Sequence, residues 1–167
     1  MKKTLNYFVL SFALSVPAFA ADESEQWGSV TNGIQISIRL SSGGTVINTN
    51  QPVRIIIHYK NISTNETFTI TGKYNIEFNS SYVWTVLSPS GKDVSPDLFS
   101  KAVQSVTWDK LKPLESMEAE YNLSVRCNFS EIGTYRITLN KGMGSDTSQK
   151  LFVVVSNPLN VTITSGK

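Results

Sequence analysis

Hydrophobic and polar residues alternate along most of the chain from Ile34 onward. Between Ile34 and Leu40, isoleucine or leucine occupies every second position. Successive side chains of a β-strand point to opposite faces, so this period of two predicts a strand with one buried face. Residues 151–155 are apolar on both faces, which predicts an inner strand. The alternation recurs in segments 53–60, 82–87, 117–123, 134–139 and 159–163.

Weaker patterns and turn residues complete this outline. Phe68–Ile70 and Ala102–Trp108 predict two further short strands, and residues 97–102 have room for one helical turn. Ser88-Pro89-Ser90-Gly91 fits a type I turn, with proline second and glycine fourth. Gly142-Met143-Gly144 lacks a following helix, so it predicts a hairpin tip rather than a phosphate-binding loop.

These patterns together predict an all-β protein. About eight short strands are joined by connections too short for helical crossovers, which favours antiparallel pairing. Two packed sheets allow each strand to bury one face, so we expect a two-sheet sandwich, with a closed barrel as the alternative.

Residues 1–20 have the features of a secretory signal peptide. Lys2 and Lys3 precede a short apolar run, and Ala18-Phe19-Ala20 matches the small-x-small pattern of a cleavage site. We therefore expect a single domain over residues 21–167, exported to the periplasm or the extracellular medium. An N-terminal membrane anchor is the alternative, which the short run disfavours, so no stable membrane anchor is expected after cleavage.

Charge and cysteine content narrow the possible partners. Without Lys2 and Lys3, the chain carries 13 Lys+Arg against 13 Asp+Glu, and these charges are scattered. No basic surface is therefore expected for nucleic acid or for anionic membrane. Cys127 is the single cysteine, so an intrachain disulfide cannot hold the fold together. We interpret it as a small buried hydrophobe, with a reactive thiol as the alternative.

No catalytic or metal-binding set is recognisable. His58, the single histidine, lies on the face of its predicted strand opposite the core, and no nucleophile motif surrounds Cys127. One histidine and one cysteine cannot form a common zinc site, and Asp93 and Asp97 are typical of a solvated turn. We therefore expect no enzyme activity, no cofactor and no metal.

Four aromatic residues have predicted roles. Trp84 lies in an apolar strand and is expected in the core. Tyr135 follows Gly133 at the start of a late strand, which favours either a tyrosine corner, with its hydroxyl bonded to backbone, or an ordinary core position. Trp27 and Trp108 are candidate binding residues that could stack on a sugar ring or anchor a protein partner. The alternative for both is a capping role at the end of the sandwich.

Several short motifs resemble a known family. They are Gln51–Asn61, the aromatic strand running into a Gly-Lys turn at Tyr82–Lys92, Leu111–Ser116 and Ile132–Arg136. Together they resemble bacterial immunoglobulin-like domains, and most of all the BsuPI-type proteinase-inhibitor domain. The resemblance covers residues 45–139 and implies an immunoglobulin-like sandwich. The export signal, an N-terminal extension over residues 27–40 and a C-terminal strand through Ile163 depart from that family.

The function expected from these observations is recognition. A sandwich pattern without a catalytic set predicts an exported, non-enzymatic binding or accessory domain. Strand edges and end loops, such as Asn61–Glu66 and Asn140–Ser148, are expected to recognise a protein or a cell-surface polymer. The alternative is a proteinase inhibitor of the BsuPI type that acts outside the cytoplasm.

Overall fold

The computed structural model describes residues 25–71, 82–96, 108–146 and 151–166. Ten strands occur in these ranges, and their only helical element is one 3-10 turn at Leu123–Val125. The predicted signal peptide and the predicted helical turn at 97–102 lie outside the described residues. The strands are β1 (Ile34–Leu40), β2 (Val46–Asn48), β3 (Arg54–Asn61), β4 (Phe68–Thr71), β5 (Tyr82–Leu87), β6 (Trp108–Leu111), β7 (Ser116–Asn122), β8 (Gly133–Ser145), β9 (Leu151–Val155) and β10 (Leu159–Thr164).

The strands form two sheets. The small sheet has the order β1-β3-β7, and the large sheet has the order β2-β10-β8-β4-β6, with β5 and β9 also paired to β8. Every pair is antiparallel except β2 with β10, which is parallel. The predicted all-β, two-sheet sandwich is confirmed, although the described strands number ten rather than about eight.

The long strand β8 organises the large sheet and corrects one prediction. The expected hairpin tip at Gly142–Gly144 is wrong, because β8 continues through it to Ser145. Both glycines face outward, opposite Val153 and Leu151 of β9, so the pleat is maintained. A side-chain atom of Leu151 lies 3.5 Å from the position of a Cβ at Gly144. The Leu151 side chain of β9 therefore packs against Gly144 at the place where a side chain of residue 144 would begin.

The core lies between the sheets and is built from the alternate positions of each strand. Each fully buried aliphatic side chain stabilises the fold by about 1.5–3 kcal/mol. A polar contact also joins the two sheets inside this core: the Tyr59 hydroxyl donates to the Tyr82 hydroxyl over 2.9 Å. The largest buried apolar and aromatic side chains include Ile34, Ile36, Ile38, Ile55, Ile57, Tyr59, Phe68, Ile70, Trp84, Tyr121, Tyr135, Ile137 and Leu139.

The short segment between β9 and β10 links the two sheets at their edge. Asn157 is buried there, and its side-chain Oδ1 accepts the backbone N–H of Ile38 over 2.7 Å. Its Nδ2 donates to the Ile38 carbonyl over 3.2 Å. The amide therefore gives the edge strand β1 the donor and acceptor that a further strand would supply.

Lys141 is a charged residue type in a core position. It continues the inward-facing row of β8 and is fully buried, with Nζ 3.8 Å from the centre of the Tyr82 ring. Desolvation lowers the pKa of its ammonium group to about 7. The folded protein thus holds this amine uncharged at mildly alkaline pH.

Lys141 makes the stability of the fold depend on pH. Between pH 7 and 9 the unfolded chain keeps Lys141 protonated while the folded protein does not, so stability rises with pH, by up to about 1.4 kcal/mol per unit. Above pH 9 the rise is cancelled, because the thiol of Cys127 ionises in the unfolded chain while its pKa in the folded protein is about 12. Above about pH 10 stability falls, because the pKa of Tyr82 is likewise raised by burial to about 12. Urea unfolding at pH 6 to 9 should show the rise in the wild type and lose it in Lys141→Met. The exposed control Lys92→Met should keep it; equal slopes in all three proteins would contradict the assignment.

Candidate binding surface

The two residues with predicted structural roles are both buried. Trp84 packs its ring against Tyr121, with ring centres 5.1 Å apart. The hydroxyl of Tyr135 accepts the backbone N–H of Glu131 over 2.9 Å, four residues upstream, which is the geometry of a tyrosine corner. Burial raises the pKa of Tyr135, and this outweighs the opposing effect of the backbone hydrogen bond.

The two candidate binding tryptophans lie in different elements. Trp108 begins β6 opposite Thr71, but its side chain lies outside the described part of the structure. Trp27 is half-buried in the segment 25–30, which we call the N-terminal arm. The ring of Trp27 lies 4.8 Å from that of His58, and Lys60 Nζ lies 5.6 Å from its centre.

A tight turn folds the arm back onto β1. Asn32 and Gly33 both have positive φ, 50° and 85°, as a two-residue type I′ hairpin turn requires. On either side of this turn, Thr31 and Ile34 exchange backbone hydrogen bonds of 2.9 and 3.0 Å. This arm was not predicted from the sequence, although Asn-Gly before an alternating strand is the strongest local signal for such a turn.

The arm covers the outer face of the small sheet near His58. The Glu25 carboxylate contacts His58 Nδ1 at 2.8 and 3.0 Å, and a Glu118 oxygen lies 4.0 Å from the same nitrogen. Ser37 faces outward opposite His58, yet it is buried. The sequence prediction placed His58 away from the core, and the structure places it between this sheet and the arm.

His58 and Cys127 occupy separate environments in the described part of the chain. The contacts of His58 are with Glu25, Trp27 and Glu118, whereas Cys127 is buried beside the 3-10 turn and its backbone N–H bonds to Leu123. Desolvation, with a smaller contribution from Asp93, raises the Cys127 pKa to about 12. A thiol with this pKa remains protonated at neutral pH and is a poor nucleophile.

Gly28 fixes the path of the arm. Its N–H donates to the Ile36 carbonyl over 2.9 Å, and a Cβ at this position would lie 2.0 Å from the Val155 carbonyl oxygen. Only glycine permits such a close approach between the arm and the end of β9. The arm therefore depends on one residue without a side chain.

The substitution Gly28→Ala should release the arm. The added methyl group cannot fit against Val155, so we expect loss of the hydrogen bond to Ile36. Hydrogen exchange read by mass spectrometry should show faster exchange in peptides covering 25–36, while the exposed control Ser29→Ala leaves them unchanged. Wild-type protection in the Gly28→Ala protein would contradict this account.

Asn61 organises the loops at one end of the sandwich. It occupies the last inward-facing position of β3 and is buried. Its Nδ2 points to the carbonyl oxygens of Glu66, Leu111 and Lys112, at 2.8, 3.2 and 2.8 Å. Its Oδ1 accepts the N–H of Ser63 over 2.9 Å. One side chain thus joins the loop after β3 to the turn between β6 and β7.

Further hydrogen bonds stiffen the same loop. Ser63 Oγ accepts the N–H groups of Asn65 and Glu66, and Ser145 Oγ donates to the Glu66 carboxylate over 2.8 Å. We call the Asn32–Gly33 turn, the loop 61–67 and the turn 112–115 together the Asn61 end.

Removing the Asn61 amide should destabilise the protein strongly. Asn61→Ala leaves one buried and two part-buried carbonyl groups without this donor, so we expect a loss of roughly 2–4 kcal/mol in the free energy of unfolding. Asn65, an exposed residue of the same loop, gives a matched control. Asn65→Ala should change the free energy of unfolding by less than about 0.5 kcal/mol. Chemical denaturation measures both; similar values for the two variants would refute a central role for Asn61.

The Asn61 end also presents apolar side chains to solvent. Ile62 is 39% exposed and Leu114 is 70% exposed, and a hydrogen bond from Asn61 N–H to the Glu115 carbonyl joins the residues next to them in the chain. The predicted recognition loop Asn61–Glu66 is therefore a real loop at this end. The other predicted loop, Asn140–Ser148, is wrong over Asn140–Ser145, because those residues belong to β8.

Other charged groups form ordinary surface contacts. Glu118 and Glu120 lie on the outer face of the small sheet and pair with Arg39 and Arg54, at 3.1 and 3.3 Å. Asp93 bonds to the backbone N–H and hydroxyl of Ser95, and these bonds lower the pKa of its carboxyl. Asp97 lies outside the described residues.

Neither a metal-binding cluster nor a membrane-spanning helix occurs in the described ranges. They contain no group of three or more histidine, cysteine, aspartate or glutamate side chains placed to hold a metal. Within the same ranges, no helix combines the length and apolar character needed to span a membrane.

Comparisons with known proteins assign no function. No protein-family model matches the chain, and no curated protein matches it. The X-ray structure of the Northeast Structural Genomics Consortium target SoR45 covers 81% of this chain and 90% of its own, at 12% identity and a TM-score of 0.48. The crystal structure of the C-terminal domain of wzt covers 87% and 81%, at 9% identity and a TM-score of 0.46. The fold assignment therefore rests on the strand pairing of this chain itself.

Proposed function

We propose that this protein is an exported, non-enzymatic binding domain that recognises a protein or a cell-surface polymer through the Asn61 end. The observation that carries the proposal is the set of hydrogen bonds from Asn61, which fixes one loop and one turn while Ile62 and Leu114 remain exposed. Export rests on the signal-like pattern of residues 1–20.

The physical basis for the proposal is preorganisation. A mobile loop must be ordered when it binds, and each immobilised side chain then reduces the affinity. Loops that are already fixed by buried hydrogen bonds avoid much of this cost. Exposed apolar side chains on such loops can bury surface against a partner, and they have charged neighbours in Lys112 and Glu115.

The test compares the two ends of the sandwich in a capture experiment. The purified chain would be immobilised and exposed to the native secreted fraction of its source. We expect a captured component that is lost in the double variant Ile62→Asp/Leu114→Asp. The control Val125→Asp/Ile132→Asp alters two exposed apolar residues outside the Asn61 end and should retain it. Equal capture by both variants would locate recognition elsewhere and remove the proposal.

A proteinase inhibitor of the BsuPI type is the second candidate. The observation that favours it is that Leu111–Ser116, one of the motifs behind the resemblance, includes the rigid and exposed turn of the Asn61 end. Secreted serine, cysteine and metalloproteinases assayed with micromolar protein provide the test. If none of these enzymes is slowed, this candidate is excluded.

A further inference from the structure

Leu114 adopts a backbone conformation that leucine seldom takes. Its φ is 62°, in the left-handed region. Glu115 N–H donates to the Lys112 carbonyl over 3.2 Å, which closes a four-residue turn with Pro113 second and Leu114 third. A type II turn has this pattern, and its third position favours glycine because of the positive φ. A leucine there strains the backbone.

The surrounding hydrogen bonds hold this strained turn in place. Lys112 N–H donates to a carboxylate oxygen of Glu115 over 2.9 Å, and Asn61 N–H donates to the Glu115 carbonyl over 2.9 Å. The Asn61 side chain also donates to the Lys112 carbonyl. The turn therefore cannot relax locally into a conformation that suits leucine better.

Core packing does not explain the leucine side chain. Leu111, three residues earlier, is 2% exposed, whereas Leu114 is 70% exposed. An apolar side chain that remains in water contributes little burial energy. At this position leucine thus combines an unfavourable backbone conformation with an unfavourable exposure, and neither benefits the folded state.

We propose that Leu114 is the anchor residue of the Asn61 end and inserts into a leucine-sized apolar pocket on a partner protein. This inference rests on the proposed function and narrows it from a protein or a polymer to a protein. Sugar polymers present flat rings that bind best against aromatic side chains, and the residues of the Asn61 end include none. Lys112 and Glu115, whose side chains are 72% and 47% exposed, supply a polar rim. A buried apolar anchor within a polar rim is the usual arrangement of a protein interface.

The strain is tested without a partner. Leu114→Gly removes both the side chain and the conformational penalty, whereas Leu114→Ala removes the side chain and keeps the penalty. We expect Leu114→Gly to raise Tm by about 2–5 °C and Leu114→Ala to leave it close to the wild-type value. A glycine variant no more stable than the alanine variant would overturn the inference that this leucine is retained against stability.

The anchor role is tested by capture from the native secreted fraction. Leu114→Met, which keeps a long apolar side chain, should retain binding, while Leu114→Ala and Leu114→Gly should each weaken it at least tenfold. Digesting the fraction with proteinase K beforehand should abolish capture. Survival of the captured component after digestion would identify a polymer and overturn the inference.

The outcomes separate this inference from the proposed function. Undiminished capture by Leu114→Gly, together with loss in Ile62→Asp/Leu114→Asp, would refute the anchor and leave the Asn61 end as the binding surface. Equal capture by Ile62→Asp/Leu114→Asp and the Val125→Asp/Ile132→Asp control would refute both. If the wild-type chain captures nothing, both proposals are also wrong.

Discussion

Two buried asparagine side chains satisfy backbone groups that the sheets leave without a strand partner, and the rest of the structure depends on them. A primary amide carries both a donor and an acceptor, so it can replace a peptide group in a ladder. Asn157 does this at Ile38 on the edge of β1, where it links the two sheets. Asn61 does it for three carbonyl groups and one N–H group at the end of β3. Without these bonds, the buried groups of Ile38 and Leu111 would carry a large desolvation penalty, and the part-buried groups of Ser63, Glu66 and Lys112 a smaller one.

The fold class could be predicted from the sequence because a period of two determines which face of each strand is buried. The pattern was clear in β1 and in the first half of β8, where every inward residue is apolar. The alternation does not predict the second half of β8. There the charged residue Lys141 faces inward, and the outward positions hold Gly142 and Gly144 instead of polar side chains. The short strand β2 gave no signal, because Ile47 is its only buried residue.

The candidate binding surface could be predicted only in part. The loop after β3 was expected to take part in recognition, because polar residues interrupt the alternation there. The role of Asn61 within it was not predictable, since its bonds to Leu111 and Lys112 join residues about fifty positions apart. The φ of Leu114 likewise depends on contacts with β3. By contrast, the Asn32-Gly33 turn was visible in the sequence and could have revealed the arm.

The pairing of β10 with β2 has a consequence for how the chain acquires its structure. The two strands are parallel and lie more than a hundred residues apart, and β10 also pairs with β8. The chain emerges from the ribosome or a translocation channel with its amino end first. Until residues 159–164 have emerged, β2 and part of β8 therefore lack the strand that pairs with them. Since distant contacts form slowly, the backbone edges of both strands that β10 later pairs with stay accessible to water and to chaperones throughout that interval.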